Sequence, residues 1–141
     1  MIKALFLDLD DTLLDFHGDQ RVALSDILKS LGVTPTEQII QTYTKINLSL
    51  WQALERGELE REEVLVRRFS LLAEAFGLEL DAVEARNRYE SRLSEGHTLL
   101  PGAVDTLDAL FGKYPLYIVS NGTGIVQNRR LDESGLRKYF A

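Results

Sequence analysis

Residues 4–12 read Ala-Leu-Phe-Leu-Asp-Leu-Asp-Asp-Thr, and this stretch decides the fold class. The apolar run over residues 2–9 is polar only at Lys3 and at its acidic end, which predicts a β-strand covered on both faces, as in a parallel sheet. Asp8 and Asp10 stand two positions apart, so on a strand their side chains leave on the same side. Neighbouring carboxylates repel, and burying them is costly without a neutralising cation. A hard cation such as Mg²⁺, with a phosphate ligand, would satisfy this pair.

The composition limits the classes of protein to which the chain can belong. Apolar residues make up 45% and aromatic residues 9% of the 141 residues, which favours a globular core over disorder. The 16 basic and 22 acidic residues give a net charge of −6, which argues against nucleic acid or an anionic membrane as the partner. Without cysteine there is neither a disulfide framework nor a thiolate zinc site. There is no apolar run of ~18 residues and no signal peptide, so a cytoplasmic setting is expected.

The middle of the chain, residues 16–98, predicts an all-helical domain. Apolar residues recur there at helical spacing in four stretches, each of which ends near a glycine. The segment Thr34-Pro-Thr-Glu37 is a favourable helix start, in which Thr34 caps, the proline occupies the first turn and the glutamate closes a capping box. Four such helices predict a bundle inserted between residues 1–15 and 99–141 of an α/β core.

The last part of the chain returns to α/β character. Residues 115–119, Pro-Leu-Tyr-Ile-Val, predict a second strand, which Ser120-Asn121-Gly122 follows directly. Polar groups between a strand end and a helix lie where open parallel sheets bind ligands, and free N–H groups at the helix start favour an anion. Ser120, Asn121 and Gly122 are therefore candidate anion-binding residues, although such a triplet on its own is usually a plain turn.

The two motifs together resemble those of the haloacid dehalogenase (HAD) superfamily of hydrolases. Asp8-x-Asp10-x-Thr12 after an apolar strand resembles motif I, and Ser120-Asn-Gly after a second strand resembles motif II. The all-helical insertion between them is similar to the C1 cap of HAD phosphatases. The resemblance implies an α/β fold, a HAD-like Rossmannoid parallel sheet core with the helices of residues 16–98 as an inserted cap.

Within the superfamily the chain is most similar to the pyrimidine 5′-nucleotidase subgroup. This resemblance covers essentially the whole chain and is most specific in motif I and in residues 99–140. It implies a small phosphorylated substrate, a nucleoside 5′-monophosphate with pyrimidine favoured over purine, and Mg²⁺ as cofactor. The stretches that carry it are Asn47–Trp51, Gly57–Leu59, Arg68-Phe69, Leu100–Ala103, Val126–Leu131, Ser134–Leu136 and Tyr139-Phe140.

The resemblance also implies a role for each candidate site residue. Asp8 is expected to attack phosphorus and form an aspartyl-phosphate, while Asp10 protonates the leaving group and then activates water. Mg²⁺ is expected at Asp8 and Asp10, where it offsets negative charge. Ser120 and the two residues after it are expected to hold the phosphate oxygens, and Thr12 to support the loop.

Two further family motifs, a lysine and one or two acids that complete the metal site, have no counterpart here. Lys113 and Lys138 do not stand in the context of that lysine. We therefore expect the chain to be the N-terminal portion of a longer protein. Alone, it should be inactive, and the exposed edge of its first strand should make it aggregate or form a homodimer.

Three alternatives remain open. The protein could be a sugar-phosphate phosphatase or a phosphoglucomutase of the same superfamily, because both share this type of cap. The chain could also be a catalytically incomplete fragment that binds phosphate or dimerises. The L-2-haloacid dehalogenases are disfavoured, because they lack the second acid that Asp10 provides.

Several conspicuous side chains have ordinary structural explanations. Trp51 is expected in the core of the bundle rather than as a platform for substrate. Arg67 and Arg68 are expected on a solvated charged face of a helix, and Arg129 and Arg130 at the surface or in an interface.

Overall fold

The computed structural model describes residues 1–141 and divides them into two compact units. The first unit comprises residues 1–20 and 93–141, and the second comprises residues 21–92. None of the helices has the length and apolarity needed to cross a lipid bilayer.

The second unit is helical, as the spacing of its apolar residues predicts. The unit begins at Arg21, within the first of its four helices, and ends at Arg92, one residue before the end of the fourth. The helices are α1 (Phe16–Ser30), α2 (Glu37–Glu55), α3 (Arg61–Phe76) and α4 (Ala82–Leu93).

The start of α2 differs from the expected one. Thr36, not Thr34, is the N-cap, and its hydroxyl accepts a hydrogen bond from the Ile39 N–H at 3.2 Å. Thr36 has the extended backbone typical of an N-cap. The helix therefore begins after the proline, at Glu37, rather than around it.

The core of the second unit is an aromatic cluster that encloses an arginine. Tyr43, Phe69 and Tyr89 are almost fully buried, and their ring centroids lie 5.5 to 5.9 Å apart. Arg68 is only 4% exposed, with its guanidinium 4.8 Å from the centre of the Tyr89 ring. The expected solvated face is therefore wrong for Arg68, because its cation rests on aromatic rings.

Two neighbours of this cluster complete the account of the expected structural residues. Arg67 is exposed, as expected. Trp51 is half-buried rather than in the core, and its indole N–H donates to Asn47 Oδ1 at 3.0 Å. Arg68 donates to the same oxygen at 3.2 Å, so one asparagine holds both side chains.

The sheet of the first unit consists of two parallel strands. β1 (Leu5–Leu7) pairs with β2 (Leu116–Ile118), and Phe6 lies opposite Tyr117. The parallel pairing agrees with the α/β class expected from the sequence. The expected cover on both faces is wrong for this chain, since Phe6 is 67% exposed and its ring stacks on Tyr117 at 5.3 Å. Side chains alternate along a strand, so only the other face packs on the core.

Two helices follow in the second half of the first unit. α5 (Ala103–Leu110) precedes β2, and α6 (Gly124–Glu133) follows it. A 3₁₀ turn over Arg137–Tyr139 leads to the last residues. The buried apolar core of the unit consists of Leu9, Leu13, Leu14, Ala103, Leu107, Leu116, Leu131, Leu136 and Tyr139.

Candidate active site

A tight loop after β1 presents the two aspartates of motif I. Asp11 has the left-handed backbone (φ 58°), and its N–H donates to the Leu14 carbonyl at 2.7 Å. The N–H of Leu14 donates in turn to the carbonyl of Leu9 at 3.0 Å. Leu9 is fully buried, whereas Asp8 is exposed and Asp10 is half-buried. The apolar residue between the aspartates therefore anchors the loop and leaves both carboxylates on its outer side.

The triplet of motif II follows the neighbouring strand at the same edge of the sheet. The Val119 N–H donates to the Leu7 carbonyl at 2.9 Å, so the strand pairing continues up to Asp8 and Ser120. Ser120 Oγ accepts a hydrogen bond from the Gly122 N–H at 3.2 Å. Both motifs thus lie at the carboxyl ends of parallel strands, where such sheets bind ligands.

Gln127 on α6 joins the two motifs. Its Nε2 donates to Asp10 Oδ2 at 2.9 Å and to Ser120 Oγ at 2.7 Å. The amide is buried, and Gly122 leaves the space for it. A Cβ on Gly122 would lie 2.6 Å from the Cδ and Cγ of Gln127, closer than real Cβ contacts allow.

Arg130, one turn further along α6, binds the other oxygen of Asp10. Its Nη1 donates to Asp10 Oδ1 at 2.5 Å and to Gln127 Oε1 at 2.9 Å. Its Nε donates to the Gly96 carbonyl at 2.8 Å, and its Nη2 to Asp19 Oδ2 at 3.4 Å. The side chain is fully buried, and the two carboxylates compensate its charge.

Gln127 and Arg130 were missed as site residues in the sequence, and the expected surface position of Arg130 is wrong. Arg129 is exposed and pairs with Glu133, as a surface arginine does. Residues three positions apart lie on the same side of a helix, so Gln127 and Arg130 share the buried face of α6 with Val126. The signal available in the sequence was this i, i+3 spacing beside apolar neighbours.

The two aspartates have different surroundings. The Asp8 carboxylate accepts a single hydrogen bond, at 2.8 Å from the Leu9 N–H, and is otherwise open. Both oxygens of Asp10 are held, by Arg130 and Gln127. An open carboxylate is suited to attack or to metal binding, and a held one is suited to proton transfer at a fixed point.

Thr12 and Asn121, the remaining predicted site residues, are both exposed. Thr12 is exposed, and its hydroxyl has no hydrogen-bond partner in the structure, so its expected support of the loop stays a prediction. Asn121 is exposed in the turn after β2. The structure thus brings Asp8, Asp10, Ser120 and Gly122 to one edge, and gives Thr12 no contact with them through hydrogen bonds.

The oxygen donors at this edge fit part of a magnesium site. The structure contains no group of three or more His, Asp or Glu residues arranged to hold a metal ion. Mg²⁺ is usually held by only one or two carboxylates and keeps waters and substrate phosphate as its other ligands. The open carboxylate of Asp8 is of the type that Mg²⁺ binds, whereas the Asp10 side chain is already engaged.

Comparisons with known proteins find relatives that match nearly the whole chain. The chain is 40% identical over 139 residues to the pyrimidine 5′-nucleotidase PynA of Streptococcus pneumoniae and 32% identical over 136 residues to the pyrimidine 5′-nucleotidase YjjG of Escherichia coli. These matches cover 98% and 96% of the chain, and the chain spans 59% of the length of each relative.

The fold comparison gives the same result. The magnesium-bound crystal structure of YfnB from Bacillus subtilis matches with a TM-score of 0.94 and 38% identity, covering 98% of this chain and 62% of that one. The model of one family, described as haloacid dehalogenase-like hydrolase, matches residues 2–141. Since that match extends over nearly the whole chain and includes both strand-end motifs, the chain belongs to the haloacid dehalogenase-like hydrolases.

Proposed function

We propose that this chain carries the nucleophile and the acid/base of a Mg²⁺-dependent phosphomonoester hydrolase that acts through an aspartyl-phosphate. The observation that carries the proposal is the contrast between an open Asp8 and a held Asp10, beside Ser120 at the next strand end. Nucleoside 5′-monophosphates are the proposed substrates. The names of the relatives PynA and YjjG, both pyrimidine 5′-nucleotidases, support that substrate class.

Asp8 is the proposed nucleophile. Its exposed carboxylate accepts one hydrogen bond, which leaves lone pairs free for attack on phosphorus. Attack forms an acyl-phosphate bond and breaks the bond from phosphorus to the nucleoside oxygen. In the second step water attacks the phosphorus, which releases inorganic phosphate and restores the carboxylate.

Asp10 is the proposed acid and base. In the first step it gives a proton to the leaving alkoxide, and in the second it takes one from the attacking water. Asp10 can serve both steps because the proton that it loses to the alkoxide in the first step is replaced by one from water in the second. Its two hydrogen-bonding partners, Gln127 and Arg130, hold the carboxylate in one orientation.

Ser120 is the proposed ligand of the phosphate oxygens. Its Oγ accepts hydrogen bonds from Gly122 and Gln127, so the hydroxyl proton points elsewhere and can be donated to a phosphate oxygen. The Asp8 carboxylate and the backbone carbonyl of Asp10 would hold Mg²⁺, whose chemistry is to offset the negative charge of the phosphate.

The second unit is the proposed cap, and a homodimer is a possible assembly of the protein. No proposed catalytic residue lies in residues 21–92. A cap of this kind would exclude water and select the leaving group, while the first unit performs the chemistry.

The experiment compares two substrates in the full-length natural protein with Mg²⁺ present. p-Nitrophenolate scarcely needs a proton to leave, whereas the alkoxide of UMP does. We expect Asp8→Asn to reduce turnover of both substrates to less than about a tenth, because the nucleophile has lost its charge. Asp10→Asn should slow UMP by about 100-fold or more and p-nitrophenyl phosphate far less.

Asp105→Asn is the matched control, because this aspartate is exposed in the first turn of α5 and makes no hydrogen bond to a proposed site residue. It should leave both rates unchanged. An Asp8→Asn protein with more than about a tenth of the natural activity would rule out covalent catalysis by Asp8. Equal losses on the two substrates would rule out Asp10 as the acid/base.

A further inference from the structure

We propose that Arg130 is a positioning residue for Asp10. Its guanidinium orients the carboxylate of Asp10. The guanidinium is itself held by Asp19 and Gly96, which lie near the points where the chain leaves and re-enters the first unit. The inference rests on the proposed function, since it takes Asp10 to be the group that moves protons. Neither of the two strand-end motifs includes this arginine.

The guanidinium is fully buried and uses each of its three nitrogens. One nitrogen binds Asp10, and the other two bind the carbonyl of Gly96 and the carboxylate of Asp19. The planar fork of arginine spreads its donors over three separate nitrogens, whereas lysine presents all of its donors from one nitrogen. The position of Asp10 is thereby tied to residues far from it in the chain.

The anchor is itself rigid. Asp19 accepts hydrogen bonds from the N–H and the hydroxyl of Thr98, at 3.2 and 2.8 Å. Gly96 packs so closely that a Cβ there would lie 2.9 Å from the Cβ of Asp19. The Phe16 ring centre lies 5.6 Å from the central carbon of the guanidinium. Arg130 is therefore held by partners that are themselves fixed by hydrogen bonds and close packing.

Orientation matters because a carboxylate on its own is not fixed. The terminal torsion of aspartate is broad, so a carboxylate with one partner can rotate about it. Arg130 and Gln127 bind different oxygens of Asp10, and two separate bonds stop that rotation. A general acid must bring its proton within hydrogen-bond reach of the leaving oxygen, so a rotated Asp10 would fail on leaving groups that need a proton.

A purely structural role for Arg130 predicts something different. Burying a charge is costly, and apolar residues often fill such positions at no loss of stability. If the arginine only filled space, its removal would affect both substrates alike. If it positions Asp10, its removal should affect the substrate that depends on proton transfer.

The test uses the full-length natural protein with UMP and p-nitrophenyl phosphate as substrates. We expect Arg130→Ala to lower kcat for UMP by about 100-fold and for p-nitrophenyl phosphate by less than about tenfold, with little change in KM. Free guanidinium ion, below denaturing concentrations, should enter the vacated space and restore part of the UMP activity. Arg129→Ala, on the same helix and exposed, is the matched control and should leave both activities within about twofold.

A second variant keeps the inference testable if the alanine protein does not fold. Arg130→Lys retains the buried charge but loses the fork, so it should show the same selective loss on UMP. Full UMP turnover in the lysine variant would overturn the inference, and so would equal losses on both substrates. In an Asp10→Asn background, Arg130→Ala should cause little further loss on UMP, because the group that it positions is gone.

The outcomes separate this inference from the proposed function. No phosphatase activity in the natural protein, or an Asp10→Asn variant with equal losses on both substrates, contradicts the proposed function and the inference with it. A selective loss in Asp10→Asn without one in either Arg130 variant contradicts the inference alone.

Discussion

At the scale of single residues, the hydrogen bond from Gln127 to Asp10 depends on the absence of a side chain at Gly122. Gly122 lies beside the Gln127 amide, and that amide holds both Asp10 and Ser120. A methyl group at position 122 would have to displace the buried side chain of Gln127. The displaced amide would then lose its hydrogen bonds to Asp10 and Ser120.

We predict that Gly122→Ala lowers phosphatase activity of the full-length protein by about tenfold or more, since displaced catalytic contacts cost that much. Gly124→Ala is the control, because a Cβ at Gly124 has no heavy atom within 4 Å. Steady-state kinetics of both variants, with circular dichroism to confirm folding, decide the matter. Equal activity of the two alanine variants would show that the Gln127 contacts are dispensable.

Part of this site could be predicted from the sequence. Asp8, Asp10 and Ser120 could be predicted because they lie at the ends of apolar runs. Polar residues at the end of a parallel strand lie where such sheets bind ligands. Gln127 and Arg130 could not be found in this way, since polar residues on a helix are normally exposed. Their burial depends on the loop after β1 packing against α6, which is a contact between residues over 100 positions apart.

At the scale of elements, the start of α2 offers a direct comparison of two threonines. The structure assigns the cap to Thr36, whereas the capping-box pattern in the sequence favours Thr34. We predict that Thr36→Ala lowers the free energy of unfolding by about 1 kcal/mol, the usual cost of losing an N-cap. Thr34→Ala should change it by less than about 0.5 kcal/mol, as for an ordinary surface substitution.

Urea unfolding of both variants followed by circular dichroism measures the difference. A larger loss of stability for Thr34→Ala would show that Thr34 is the cap and that the helix begins at the proline. The sequence favours Thr34 because a proline and then a glutamate follow it at the spacing of a capping box. The structure identifies Thr36 as the cap by its extended backbone and by the hydrogen bond that its hydroxyl accepts from the Ile39 N–H.

Strand boundaries were less predictable than helix positions. The apolar run over residues 2–9 is much longer than β1, which extends only from Leu5 to Leu7. A strand needs a partner as well as an apolar sequence, and β2 offers three paired residues. The helices of the second unit were predicted more closely, since the 3.6-residue spacing of their apolar residues is a local property.

At the scale of the whole molecule, the proposed chemistry and the proposed choice of substrate belong to different units. Every proposed catalytic or positioning residue lies in residues 1–20 and 93–141. We predict that the full-length protein prefers UMP, dUMP or dTMP in a screen of nucleotides and sugar phosphates. A clear preference for a hexose phosphate would instead favour a sugar-phosphate phosphatase, with the roles of Asp8 and Asp10 unchanged.

The 141-residue chain has an apolar sheet face that nothing in it covers. Phe6 and Tyr117 stack there, and Val119, two positions after Tyr117 and just beyond the end of β2, is 58% exposed. β1 also pairs on one edge only, so its other edge presents free backbone groups. An exposed apolar face beside an open strand edge favours pairing with another copy.

We predict that the 141-residue chain, purified alone, forms dimers or larger species in light scattering. A double variant with Phe6→Lys and Tyr117→Lys should shift it toward the monomer, because charge on that face opposes association. Ile125→Lys is the control, since Ile125 is also exposed but begins α6 rather than lying on the sheet. Self-association that persists unchanged in the double variant would place the contact elsewhere.

The same preparation should be nearly inactive on p-nitrophenyl phosphate. No cation of this chain pairs with Asp8, and the chain supplies only part of a metal site, so charge developing on a phosphorylated Asp8 would lack compensation. Losing that compensation costs several kcal/mol of transition-state stabilisation, or a rate lower by about a thousandfold. Adding Mg²⁺ alone should not restore the rate, because the ion would bring neither further protein ligands nor a positive side chain to Asp8. If the 141-residue chain were a monomer with the full activity of the full-length protein, Asp8, Asp10 and Ser120 would suffice for catalysis.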